Sequence, residues 1–131
     1  HLWIVDERCV PFDDPRSNFG HIRETIVEHA DIPDEQVHPM LAMEPDGDAQ
    51  YERELREALE WREKGQDRLD FVLLGMGGDG HTASLFPFSP VLQEQTRLVA
   101  FNEHASVDPP RRLTMTYPLI NAARLIAVLV T

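Results

Sequence analysis

The chain has 131 residues, 42% of them hydrophobic and 27% charged, which is typical of a globular protein rather than of a disordered segment. Its net charge of −11, from 23 acidic and 12 basic side chains, argues against a nucleic-acid-binding surface. The sequence contains no apolar run long enough to cross a bilayer, and its single cysteine excludes an internal disulfide framework. We therefore expect a single domain over residues 1–131, a cytoplasmic location, and a monomer or weak homo-oligomer.

Short apolar runs alternate with segments of helical period, a pattern typical of an α/β protein with a buried parallel sheet. In chain order, the predicted elements are strand 2–5, a helix over about 18–27, strand 37–40, helix 48–64, strand 69–74, a helical turn over 83–86, a short helix from 90, strands 98–101 and 113–116, helix 118–122 and strand 125–130. Ser17 or Asn18 is the expected cap of the first helix, Asp48 that of the second, and Gly65 its stop. The inner face of the second helix is expected to carry Tyr51, Leu55, Ala58, Leu59 and Trp61. Because strands are predicted at both ends of the sequence, we expect a truncated domain.

A glycine-rich loop follows the predicted strand 69–74. Its sequence, Gly75-Met-Gly-Gly-Asp-Gly80, matches the dinucleotide pattern G-x-G-x-x-G, and Glu103 lies about 20 residues further on. A dinucleotide site needs a helix of ordinary length after the third glycine, and Pro87 ends this segment early. His81 would also crowd the phosphate, so the loop favours a different kind of site.

His81 and Asp79 are the candidate catalytic residues. Ligands of open α/β sheets gather at the carboxyl ends of strands, and His81 lies just past such an end, after the glycine-rich loop. Imidazole can accept and return a proton near neutral pH, and Asp79 is placed to orient the ring. The alternative is a histidine that only caps or packs a short helix.

Two further segments are candidates for binding an anion. Asp6-Glu7-Arg8 follows the first predicted strand, and the pair Arg111-Arg112 precedes a later one. Arginine binds phosphate and carboxylate well because its planar guanidinium matches both. The alternatives are a solvated strand exit for the first segment and local salt bridges for the second.

Together these segments resemble the 6-phosphogluconolactonase family. The stretches that carry the resemblance are residues 3–11 with Ser17-Asn18, residues 74–87, and residues 112–122. The resemblance implies a Rossmann-like α/β fold. It also implies hydrolysis of 6-phosphoglucono-1,5-lactone to 6-phosphogluconate in the oxidative pentose phosphate pathway, without a metal or an organic cofactor.

The resemblance also assigns roles to residues. It makes His81 the acid/base residue and Asp79 and Asp6 polar or orienting residues of the pocket. It makes Arg8 and Arg112 contacts for the anionic sugar phosphate. Backbone N–H groups of the loop that contains Gly77, Gly78 and Gly80, or an arginine, are expected to stabilise an oxyanion.

Two other functions stay open at this point. The related amino-sugar phosphate deaminases share Gly-x-Asp-Gly-His, but their pattern has a further carboxylate after the histidine, where this chain has Thr82 to Pro87. A non-catalytic phosphosugar-binding module would use Arg8 and the glycine loop without His81. The family's Ser-Gly-Gly phosphate loop and its Gly-x-x-Lys segment have no equivalent in these 131 residues.

Overall fold

The computed structural model describes residues 1–60, 63, 65 and 67–130. Within these residues, the strands and α-helices are, in chain order, β1 (Leu2–Trp3), β2 (Asp6–Arg8), α1 (Asn18–Thr25), β3 (Val37–His38), α2 (Gly47–Glu60), β4 (Val72–Gly75), β5 (Val99–Glu103), β6 (Arg111–Met115), α3 (Tyr117–Ala122) and β7 (Ile126–Leu129). Short 3₁₀ helices cover Val27–His29, Asp34–Gln36 and Pro90–Gln93. The predicted α/β class is confirmed.

The described strands form three separate ladders. Two are parallel pairs, β1 with β3 and β4 with β7, as expected for an α/β protein. The third is antiparallel, with the strand order β2-β6-β5. The sequence analysis did not predict this third ladder, and it placed Asp6–Arg8 after a strand rather than within one. Strand partners depend on long-range packing, which a local apolar pattern does not encode.

Helix α1 begins where the sequence predicted, and Ser17 is its N-cap. The Ser17 hydroxyl accepts a hydrogen bond from Gly20 N at 3.0 Å, which satisfies one of the free N–H groups of the first turn. Glu7 adds a second cap, because its fully buried carboxylate accepts from the backbone N–H groups of Asn18 and Phe19. The segment around Glu7 is therefore not a solvated strand exit.

Helix α2 packs through Tyr51 and Leu55, both fully buried as predicted. The Tyr51 hydroxyl accepts from Ile4 N at 2.7 Å and lies within hydrogen-bond distance of the Ile4 and His38 carbonyl oxygens, so it joins the helix to β1 and β3. The predicted cap was wrong: the helix already includes Gly47, and Asp48 lies in its first turn. Lys64, the predicted end of the helix, and Trp61, a predicted inner residue, lie outside the described residues.

Two other predictions need correction. Residues 83–86 do not form a helical turn: Leu85 N donates to Thr82 O at 3.0 Å, and Ala83 has a left-handed φ of +50°. The segment 69–74 is not buried throughout, because β4 starts at Val72 and alternates between buried and exposed side chains. Strand β7, predicted as buried, is largely exposed.

The interior is one hydrophobic cluster that draws on most elements. Its fully buried members include Ile4, Met40, Leu55, Val99, Leu113 and Met115. Strand β6 contributes to this cluster from one face and carries polar side chains on the other, so it separates the apolar core from the polar site. No helix in the described part of the chain is long and apolar enough to cross a membrane.

Candidate functional site

The glycine loop leaves the carboxyl end of β4 and folds back onto itself before His81. Gly77 N donates to the His81 carbonyl oxygen and Gly80 N to the Gly77 carbonyl oxygen, both at 2.9 Å. Gly80 adopts a φ of +86°, which glycine reaches without a steric penalty. At Gly77, a Cβ atom would overlap the imidazole ring of His81. Glycine at this position therefore makes room for the His81 side chain.

His81 is held by Asp79. Its Nδ1 lies 2.5 Å from Asp79 Oδ1, and its backbone N–H donates to the same oxygen at 3.1 Å. These hydrogen bonds lower the pKa of the Asp79 carboxyl, so Asp79 is ionised at neutral pH. An ionised carboxylate only accepts hydrogen bonds. Nδ1 therefore carries a proton, and in the neutral ring Nε2 has a free lone pair.

The His81 ring packs against Phe86. Their ring centroids are 4.7 Å apart, and the Phe86 ring is also 4.8 Å from that of His104. Phe86 is buried, whereas the His81 side chain keeps 29% of its surface exposed. The ring of His81 is thus restrained on one side and accessible to a small molecule.

A polar face of the antiparallel ladder lies next to this loop. Register places Asp6 opposite Thr114, and Arg8 opposite Arg112, which in turn pairs with Asn102. Residues two apart on a strand share a face, so all five side chains belong to one side of the ladder. The structure therefore brings together Asp6, Arg8 and Arg112, as the sequence analysis expected.

Asp6 is tied to its neighbours through both carboxylate oxygens. Oδ2 accepts from the Ser84 hydroxyl at 2.7 Å, and Oδ1 accepts from Asn18 Nδ2 at 3.2 Å. Burial raises the pKa of the Asp6 carboxyl, while Ser84 and the two arginines of this face act in the opposite direction. Asp6 thus bonds to Ser84, in the segment that follows His81, and is also a neighbour of the two arginines.

Arg8 and Arg112 place two positive charges side by side. Arg112 is buried and donates from Nε to Pro109 O at 2.7 Å and from Nη2 to Asp108 O at 3.3 Å. Arg8 donates from Nη1 to Arg16 O at 2.5 Å, and its buried Nε has no partner among the described residues. Burial, with a further contribution from Arg8, lowers the pKa of Arg112. Two adjacent guanidinium groups with unused donors suit an anion.

Two of the glycines predicted to bind substrate, Gly78 and Gly80, lie in open space. At Gly78 and Gly80, a Cβ atom would meet nothing within 4 Å, so neither position requires glycine for lack of space. In the described part of the chain, no hydrogen bond or ion pair joins His81 to Arg8 or Arg112. The two halves of the site meet instead through Ser84, which the sequence analysis did not single out.

Sequence reasoning also missed Asn102. This residue is a polar side chain within the apolar strand β5, and it donates from Nδ2 to Ser84 O at 2.7 Å. A buried amide in a strand needs hydrogen-bond partners, so the position of Asn102 directly after the apolar run Val99 to Phe101 was a signal that the sequence contained. Within the described ranges, no group of three or more His, Cys, Asp or Glu residues is arranged to hold a metal ion.

Fold and site together define an α/β protein with a histidine–carboxylate pair at the end of a parallel strand and an arginine pair beside it. The chain belongs to the family described as glucosamine-6-phosphate isomerases/6-phosphogluconolactonase, whose model matches residues 1–131.

Several known proteins are similar to this chain. The 6-phosphogluconolactonase of Mycobacterium tuberculosis is 41% identical over 138 residues, covering 100% of the chain and 56% of that protein. The human GDH/6PGL endoplasmic bifunctional protein is 45% identical, covering 99% of the chain and 17% of that protein. A crystal structure of 6-phosphogluconolactonase from Thermotoga maritima superposes with a TM-score of 0.79 at 35% identity, covering 94% of this chain and 53% of the other. The chain thus spans about half of the mycobacterial and Thermotoga proteins.

Proposed function

We propose that this chain carries the acid–base part of the active site of a 6-phosphogluconolactonase. The observation on which the proposal rests is the His81–Asp79 pair, whose 2.5 Å hydrogen bond leaves Nε2 of a neutral ring able to accept a proton. The names of the similar proteins and the adjacent arginine pair support the same reaction. The substrate is 6-phosphoglucono-1,5-lactone, and the reaction is the second step of the oxidative pentose phosphate pathway.

His81 acts first as a base and then as an acid. Its Nε2 takes a proton from a water molecule, and the water oxygen bonds to the lactone carbonyl carbon. The bond between that carbon and the ring oxygen then breaks, and His81 returns the proton to the departing ring oxygen. The product is the open-chain acid, and His81 is neutral again. Asp79 stabilises the imidazolium that exists between the two transfers.

The oxyanion of the tetrahedral intermediate needs hydrogen-bond donors. Gly77 and Gly80 already donate their N–H groups within the loop. The Gly78 N–H has no acceptor in the described part of the protein, so we assign it as the loop's donor to the oxyanion. Arg8 and Arg112 bind the anionic substrate through guanidinium N–H groups that make no hydrogen bond to other described residues. Asp6 lies on the same face of the antiparallel ladder as the two arginines.

Replacement of His81 tests the proposal. His81→Ala should lower kcat by about 10²–10⁴-fold, the usual contribution of general acid–base catalysis, and leave KM within about twofold. The assay is lactone hydrolysis above the uncatalysed background. His29→Ala is the control, because His29 is an exposed histidine remote in sequence from the loop. Near-normal turnover by His81→Ala would refute the assignment.

The residues after His81 favour the lactonase over the deaminase alternative. In the segment 82–87, the Ser84 hydroxyl is bonded to Asp6. No carboxylate lies in that segment, and amine elimination requires more acid/base groups than lactone hydrolysis. Ammonia release from glucosamine 6-phosphate should therefore be absent from a preparation that hydrolyses the lactone.

The remaining expectations are also proposals. We take residues 1–131 as a single α/β domain located in the cytoplasm, a monomer or weak homo-oligomer with no nucleic-acid partner and no resident cofactor. The single cysteine and the acidic net charge of −11 support this description. Light scattering after size exclusion measures the oligomeric state, and a stable tetramer would contradict it.

A further inference from the structure

The loop that carries His81 is held against the sheet by Ser84, a fully buried residue. The Ser84 hydroxyl donates to Asp6 Oδ2 at 2.7 Å, and its backbone N–H donates to Thr114 Oγ1 at 3.2 Å. Its carbonyl oxygen accepts from Asn102 Nδ2 at 2.7 Å. These partners lie on β2, β6 and β5, so one serine is bonded to each strand of the antiparallel ladder.

Ser84 and His81 are connected by a short, well-restrained segment. The hydrogen bond from Leu85 N to Thr82 O closes the turn between them, and the His81 ring rests on buried Phe86 just beyond it. On the other side of His81, the glycine-rich run from Gly75 to Gly80 ties the histidine to the end of β4 through the hydrogen bond from Gly77 N to His81 O, and among the described residues none of its backbone hydrogen bonds reaches the antiparallel ladder. The placement of His81 relative to that ladder therefore depends on the Ser84 side of the loop.

We propose that Ser84, through its hydrogen bond to Asp6, is a positioning residue that sets His81 in register with Arg8 and Arg112. Ser84 is fully buried, so it acts on the reaction through the residues that it positions and not by touching the substrate. The inference rests on the proposed lactonase function. It also gives Asp6 a specific task, because the Asp6 carboxylate joins the strand that bears Arg8 to the loop that bears His81.

The chain offers a closely matched control for this idea. Ser17 is also fully buried, and its hydroxyl donates to a carboxylate, Glu7 Oε2, at 2.9 Å. Ser17→Ala and Ser84→Ala therefore remove the same chemical group from equally buried sites. The first affects the start of helix α1 and the second affects the His81 loop. Both variants should lower Tm, and only Ser84→Ala should disturb the site.

Two measurements separate positioning from mere stability. In Ser84→Ala we expect kcat to fall about tenfold with KM within about twofold, because a misplacement of about 1 Å at a catalytic group can cost about 10²-fold and the loss of one hydrogen bond should cause a smaller shift. We also expect the NMR resonances of the His81 ring hydrogens to shift, since that ring lies 4.7 Å from Phe86 and senses its ring current. Ser17→Ala should leave kcat and these resonances as in the wild type.

The proposal is overturned if Ser84→Ala lowers Tm as Ser17→Ala does and leaves both kcat and the His81 resonances unchanged. The resonances need no turnover, so they decide the role of Ser84 even if His81→Ala shows that the lactonase proposal is wrong. If Ser84→Ala does not fold, Thr114→Val takes its place. That variant removes the acceptor of the Ser84 N–H with little change in shape, and the same two readouts apply.

Discussion

Glu7 provides the sharpest test of how the fold supports the site. Its carboxylate is fully buried and accepts four hydrogen bonds. Oε1 accepts from the backbone N–H groups of Arg8 and Asn18, both at 2.7 Å. Oε2 accepts from Phe19 N at 2.8 Å and from the Ser17 hydroxyl at 2.9 Å. One side chain thus fixes strand β2 to the N-terminus of helix α1.

Replacing Glu7 by Gln keeps the shape and removes one acceptor. The new amide nitrogen must face one of the two donor pairs. In the less costly orientation it faces Phe19 N and Ser17, where the hydroxyl can rotate and accept. One buried N–H still loses its partner, at about 1–3 kcal/mol, and the surviving bonds lose the help of the charge. We therefore expect a loss of about 2–4 kcal/mol in the free energy of unfolding.

Equilibrium unfolding in urea measures this loss as a lower midpoint with an unchanged m-value. Glu94→Gln is the matched control. Glu94 also accepts several backbone hydrogen bonds through one oxygen, but it lies at an accessible turn where water replaces lost partners. Its variant should shift the midpoint far less. If Glu7→Gln unfolds at the wild-type midpoint, the capping argument is wrong.

Two further predictions concern stability. Because burial raises the pKa of Asp6, the folded state binds that proton more tightly than the unfolded chain does, and the stability gained is lost as pH rises through the folded pKa. The Tm of Asp6→Asn, measured relative to that of the wild type, should therefore be higher at neutral pH than below the ordinary aspartate pKa of about 3.9. A Tm difference that does not change with pH would contradict this. Tyr51→Phe should lower the unfolding free energy by about 2 kcal/mol, because Ile4 N loses its buried acceptor. Tyr117→Phe, at a more exposed position, is its control in urea unfolding, and equal midpoints for the two variants would count against the argument.

Several parts of the fold could be predicted from the sequence because they depend on local chemistry. Ser17 was identifiable as a helix cap because a serine before an apolar periodic segment satisfies the first-turn N–H groups. Tyr51 and Leu55 were identifiable as core residues from their helical spacing. The Gly75 to His81 segment was recognised as a strand-end loop, and the structure pairs its histidine with the predicted Asp79. Each of these features depends on residues close in sequence.

The turn at residues 82–85 shows where this reasoning failed. Apolar residues ahead of Pro87 suggested a helix, yet the segment is shaped by the bonds from Ser84 to Asp6, Thr114 and Asn102. These partners are distant in the chain, and their bonds outweigh the local helical preference. The exposed side of β4 was not predicted for a similar reason, because a run of apolar residues does not indicate which face of the strand packs against another element.

The sequence by itself determined the class of fold, the family resemblance and the histidine most suited to acid–base chemistry, because these depend on residue type and short spacing. Tertiary structure alone decided that Asp6–Arg8 is a strand, that Arg8 faces Arg112, and that Glu7 is a buried cap. It also placed Ser84 between the two halves of the site. The physical reason is that a buried hydrogen bond is specified by both partners at once, and partners such as Ser84 and Asp6 lie 78 residues apart.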